Sequence, residues 1–296
     1  MVIDDFLKIG HSHTMCQDYI ISGTEPFPYI ILSDGCSSAA NSDIGARLLC
    51  HAALKNIMRN SDRLDEIGWH ELGHTTICDA KAALDMYFPT LSIECLDATL
   101  IVAYRTETDY KILIYGDGCI YFVQPDGAIC YDRTVFEPNA PAYLRYWIKG
   151  EDEYLARNVK QYITVKRDFH REGVISMHKA IKINDTAIPI SQVKALFVAS
   201  DGIESFMFKD EALYKSKYLD MLNALRHSRG NISYNDAWPV PKIKELNFLD
   251  VFNEISQFKL LKGPFLSRRV KKVLKEYNKT GFVNDDDLSI GCFYED

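Results

Sequence analysis

Residues 28–35 read PYIILSDG and residues 195–202 read ALFVASDG. In each, an unbroken apolar run stops at Ser-Asp-Gly. The run is too short for a helix and rich in β-branched and aromatic residues, the pattern of a buried strand that ends in an acid. Asp34 and Asp201 are therefore expected at strand ends. The glycine behind each acid has no Cβ and lets the backbone turn sharply or approach another group closely. Asp-Gly also closes β-hairpins, but here no partner strand follows at once: residues 41–58 read as a capped helix, and helical periodicity follows residue 209.

Three more acidic positions stand at strand edges. Asp18 precedes the run 19–22, Asp117 follows the run 112–115, and Asp285, Asp286 and Asp287 lead into the run 288–294. If these strands are neighbours, four or five carboxylates meet. Carboxylates gathered away from water repel one another and are neutralised or dispersed unless something positive sits among them. The pattern points to a cation site, and oxygen-only donors suit magnesium, manganese or calcium better than zinc or copper.

The rest of the chain supports one domain over residues 1–296, because the acids that must meet come from both ends. Strands are expected at about 19–23 and 29–34. A helix capped by Asn41 or Ser42 follows, with Ile44, Leu48, Leu49, Ala52 and Ala53 inward. A second helix is expected over about 69–88 with Leu72, Ala80, Ala83, Leu84 and Tyr87 inward, stopped by Pro89. A strand meander over 97–132 comes next, its turns marked by Asp109, Gly116-Asp117-Gly118 and Pro125-Asp126-Gly127. Residues 133–190 are the least readable part, mixing strands with polar stretches such as 149–157, KGEDEYLAR, and a long irregular excursion of this kind suits a lid or binding loop. Helices are expected around 208–228, 241–262 and 265–278, and a last strand closes the chain. This order fits α+β architecture: two mainly antiparallel sheets face to face, with helix pairs outside.

An apolar fraction of 47% and a charged fraction of 25% describe an ordinary globular chain. The net charge of −7 offers nothing to nucleic acid or an anionic membrane. No apolar run approaches the length of a membrane span, and residues 1–10 lack a signal-peptide pattern, so a cytoplasmic location is expected. The eight cysteines form no CxxC pair and read as reduced, mostly packed thiols. Arg268, Arg269, Lys271, Lys272 and Lys275 alternate with Val270, Val273 and Leu274 at helical spacing, the mark of a solvated helix face.

The ordered set CQDY at 16–19, LSDG at 32–35, GDG at 116–118, ASDG at 199–202 and DDLSIG at 286–291 resembles the metal-dependent Ser/Thr protein phosphatases of type 2C, bacterial-type branch. The resemblance implies a four-layer αββα sandwich with the metals at one end of the sheets, and a flap within 133–190. It implies hydrolysis of phosphoserine and phosphothreonine in protein substrates, by a water or hydroxide bridging two manganese or magnesium ions. Asp34 would bridge both ions and the Gly35 carbonyl would ligate one. Asp18 and Asp34 would serve one ion, Asp201 and Asp286 the other, and Asp117 with Asp201 a third. Asp285 or Asp287 could replace Asp286 by a one-residue slip, and Asp117 reads equally as a hairpin acid. No cysteine nucleophile is required, so thiol alkylation is expected to leave activity intact.

The chain departs from better-known members at three places. His13 stands where they have an arginine that grips phosphate, and either contacts substrate or holds its loop through a backbone bond. Cys36 stands where many have a histidine after Asp-Gly, and reads as a packed thiol. Gln17 replaces an acid before Asp18 and weakens an outer contact. The alternatives to a protein phosphatase are an inactive regulatory relative that binds a partner, and a phosphatase for a small metabolite.

Overall fold

The two strands that end in Ser-Asp-Gly belong to different sheets. The computed structural model describes residues 1–137, 141–149, 161–168, 175–179, 185–209, 246 and 248–295. With strands numbered along the chain, one sheet runs β1 (Val2–Lys8), β14 (Leu288–Tyr294), β11 (Ala195–Ala199), β6 (Gly118–Val123), β7 (Ile129–Glu137), β8 (Gln161–Asp168) and β9 (Ile175–Lys179). The other runs β10 (Asp185–Pro189), β5 (Asp109–Tyr115), β4 (Leu100–Arg105), β3 (Tyr29–Ser33) and β2 (Tyr19–Gly23). A short pair joins β12 (Phe206–Phe208) to β13 (Phe282–Asn284). Every pairing is antiparallel, including β3 Ile31 opposite β4 Val102 and β11 Phe197 opposite β14 Cys292.

The apolar runs are unbroken because both faces of each sheet are covered. Along β3, Ile30 and Leu32 point between the sheets to meet Ile101, Ile112, Leu196 and Val198. Ile31 points the other way, under helices α1 (Ser42–Arg59) and α2 (Trp69–Tyr87), with Leu49, Ala53, Leu72 and Ile77. On the far side, Phe197 and Tyr121 pack under α3 (Phe248–Ser256) and α4 (Phe265–Lys279), against Phe252, Ile255, Phe265 and Val270. The result is the expected α+β sandwich, layered helix, sheet, sheet, helix. The basic run lies on α4, whose buried residues are Phe265, Leu266, Val270 and Val273.

Several details differ from the sequence expectation. Asn41 precedes α1 in a left-handed conformation with φ 60° and makes no side-chain cap. Ile44 and Leu48 are only partly covered, and the inward face of α1 centres on Ala46, Leu49, Cys50, Ala53 and Ile57. Tyr87, the last residue of α2, is 69% exposed and does not face inward. Strand β1 was not foreseen: Asp4 and Asp5 interrupt its apolar pattern, which an edge strand tolerates. The run 97–132 is not one meander, since β5 and β6 lie in different sheets and the segment 116–118 crosses between them. Residue 208 ends strand β12 instead of starting a helix. The helix expected over 208–228 falls mostly outside the described residues. Of the expected 241–262 helix, α3 is the described part. Among the described residues no helix is long and apolar enough to cross a membrane.

Candidate metal centre

Because β3 and β11 end at the same edge of the two facing sheets, their terminal acids meet. A cavity of about 370 Å³ is lined by Asp34, Gly35, Asp117, Asp201, Asp286 and Asp287, with His13, Cys36, Ser37, Ser38, Thr99, Pro141 and Tyr143. Asp34 follows β3 directly, bracketed by Thr99. The Asp34 amide donates to Thr99 Oγ1 at 3.1 Å, and the Asp34 carbonyl accepts the Thr99 amide at 2.8 Å. Asp201 opens a 3-10 turn after β11. Asp117 sits in the sheet-to-sheet crossing, between Gly116 at φ 95° and Gly118 at φ 147°. These are backbone values that favour glycine, and they explain the Gly-Asp-Gly spelling.

Asp18 does not line the cavity but lies behind Asp34, 1% exposed. Its Oδ2 accepts the Ser200 hydroxyl at 2.8 Å, while Oδ1 is buried with no partner among the described residues. Of the last three acids, Asp287 is 2% exposed and fully engaged: Oδ1 accepts the Gly10 amide at 2.7 Å and Oδ2 the Gln17 amide at 2.6 Å. Asp286 has a side chain 47% exposed, and Asp285 does not line the cavity. His13 stands between the two neighbours, Nε2 3.4 Å from Asp286 and Nδ1 3.1 Å from Asp287. Gln17 is tied inward, its amide donating to Ser42 Oγ at 2.7 Å and to the Cys36 carbonyl at 3.4 Å.

Burial and mutual repulsion raise the pKa values of four of these acids, Asp18, Asp34, Asp117 and Asp286. Burial, then the charges of Asp18, Asp201, Asp117 and Asp286, hold Asp34 well above the usual carboxylate range. Burial pushes Asp18 to about 7 despite the Ser200 bond, and burial with Asp201 pushes Asp117 to about 7. Asp286 rises for the same two reasons. Such a group is costly without a cation. Among the described residues no three ligand-type side chains close to coordinating spacing. The fit is instead in the chemistry of the donors: oxygen only, an orphaned carboxylate oxygen on Asp18, and acids from distant segments facing one space.

Sequence reasoning found the acids but missed the groups that hold them. Ser200 was legible only as the residue before Asp201, and Thr99 only as a strand residue. Tyr143 lay in a stretch without a pattern. The structure also places Cys36 on the cavity wall, half-buried, where a packed thiol was expected.

Solved structures resemble the whole chain distantly. The Mycobacterium tuberculosis serine/threonine phosphatase PstP/Ppp is 11% identical over 100% of this chain and 99% of that one, with a TM-score of 0.45. The serine/threonine phosphatase Stp1 from Staphylococcus aureus is 12% identical over 99% and 94%, at 0.46. The catalytic domain of PstP in complex with two manganese ions is 13% identical over 98% and 96%, also at 0.46. No curated protein matches the chain. The model of the protein phosphatase 2C family matches residues 9–236, more than three quarters of the sequence, and the chain belongs to that family.

Proposed function

We propose that the protein is a metal-dependent phosphatase of phosphoserine and phosphothreonine in protein substrates. The observation that carries this reading is the meeting of Asp34, Asp117, Asp201 and Asp286 on one cavity, in a chain of this family. In it, Asp34, Asp201, Asp286 and the Gly35 carbonyl hold two manganese or magnesium ions, and Asp117 with Asp201 holds a third. When bound, such ions lower the pKa of a water and neutralise phosphoryl charge during in-line displacement.

The chain's own groups prepare the site. Asp18 lends its charge from behind Asp34, held by Ser200. Asp287 spends both oxygens on the 10–17 segment, which supports Asp286, the more exposed neighbour, as the ligand. His13 is aimed at the cavity by the two acids and meets the substrate phosphate there. Pro141 and Tyr143 on the wall support a substrate-facing role for part of 133–190.

The test is hydrolysis of an aryl phosphate and of a phosphothreonine peptide, with and without manganese. Manganese-stimulated turnover that a chelator abolishes is expected. Activity that survives thorough chelation, or its absence on both substrates in metal-loaded protein, overturns the reading.

A further inference from the structure

The cavity that would receive a phosphate dianion has no lysine or arginine among its described lining residues. Besides His13, assigned to the phosphate above, it offers the hydroxyls of Thr99, whose Oγ1 accepts the Asp34 amide, of Ser37 and Ser38, exposed at the mouth, and of Tyr143. Tyr143 is different. It is 8% exposed and lines the cavity together with Asp34, Cys36 and Asp117. The neighbouring Cys36 thiol lies 3.1 Å from the Ser38 hydroxyl, and a thiol is a weak acceptor.

We propose that Tyr143 donates its phenolic hydrogen to a non-bridging phosphoryl oxygen of the bound substrate. The inference rests on the phosphatase reading above and adds a substrate-contacting residue to it. An anionic phosphoryl oxygen is a strong acceptor for the phenol, since hydrogen bonds to charged groups are roughly twice as strong as neutral ones. A neutral donor also suits this wall. A lysine or arginine so close to Asp34 and Asp117 would pair with them and compete with the ions, whereas a phenol supplies a proton without a charge.

The segment is placed to do this reproducibly. Two residues beyond Tyr143, Arg145 forks onto the Asp97 carboxylate through Nε and Nη2, the latter at 3.0 Å. The Asp97 carbonyl accepts the Cys36 amide at 2.9 Å, and Thr99 two residues on brackets Asp34. One ion pair thus ties the strand of chain that carries the phenol to the turn that carries the acids. The Tyr146 ring stacks beside Tyr143 with centroids 5.9 Å apart.

The test compares wild type with Tyr143→Phe, which keeps the ring and its packing, in manganese-loaded full-length protein. Four quantities are read: inhibition by inorganic phosphate, kcat and KM for an aryl phosphate, the manganese concentration for half-activation, and Tm. Phosphate affinity and kcat/KM are expected to fall about tenfold or more, with manganese half-activation and Tm unchanged. Unchanged phosphate affinity in an active Tyr143→Phe protein overturns the assignment and leaves the phosphatase reading standing. A matching shift in manganese half-activation also overturns it, by placing the effect on the metal centre. A wild type that neither hydrolyses the ester nor binds phosphate overturns both.

Discussion

The Ser200 hydroxyl donates to Asp18 Oδ2 at 2.8 Å and accepts the Ser289 amide at 3.1 Å, so one oxygen joins the first acidic motif to the strand after the last. All three groups are buried. Ser200→Ala leaves a buried carboxylate and a buried amide short of a partner, which costs about 1–3 kcal/mol per group. Thermal unfolding of the metal-free variant should show a fall in Tm of several degrees, and a Tm equal to wild type would show that the bond contributes nothing.

Asp34 tests the opposite balance. Burial and four neighbouring acids oppose its charge, so the metal-free protein carries repulsion that the fold must offset. Asp34→Asn removes a charge at nearly constant volume. The metal-free Tm should rise by roughly a few degrees, while turnover with saturating manganese falls to background. A variant that loses activity together with metal-free stability would mean that Asp34 is held for structure.

Gly202 is a matter of space. A Cβ at this position would lie 1.7 Å from the Asp287 carbonyl oxygen and 2.7 Å from its carbon, both backbone. Gly202→Ala must push the approach to β14 away from the β11 turn and should destabilise by more than about 4 kcal/mol, giving aggregated protein or no cooperative transition. Gly127 is the control: a Cβ there meets nothing within 4 Å, and only its φ of 90° is strained. Gly127→Ala should stay folded with a loss of about 1–2 kcal/mol.

Cys36 revises an expectation drawn from the sequence. Its thiol stands on the cavity wall, so an alkyl group added there obstructs the site even though no thiol takes part in hydrolysis. Iodoacetamide should inactivate wild type progressively, while Cys36→Ser should keep activity within a fewfold of wild type and resist the reagent. Loss of turnover in Cys36→Ser at unchanged Tm would give the thiol a chemical role.

The fold was legible where both faces of a strand are covered. β3 and β11 announce themselves as unbroken apolar runs because helices lie on one side and the opposite sheet on the other. β1 did not, since an edge position accepts Asp4 and Asp5. The acids were legible for a related reason, as each interrupts an apolar run where it emerges from cover. The hairpin reading of Asp117 rested on flanking strands, and sequence does not tell whether two successive strands share a sheet. Partners such as Ser200 with Asp18, or Arg145 with Asp97, are contacts between residues far apart in the chain that no local pattern records.

Strand β14 has a consequence for how the protein comes into being. It lies between β1 and β11, paired to both, although it follows both in the sequence. A growing polypeptide on the ribosome therefore leaves β1 and β11 each with an unsatisfied edge until residues 288–294 emerge and fill the gap. Asp286 arrives with that segment. Any capacity to bind ions at full strength appears only after residue 286 has been made, and a chain stalled short of β14 offers two open edges to chaperones or to other chains.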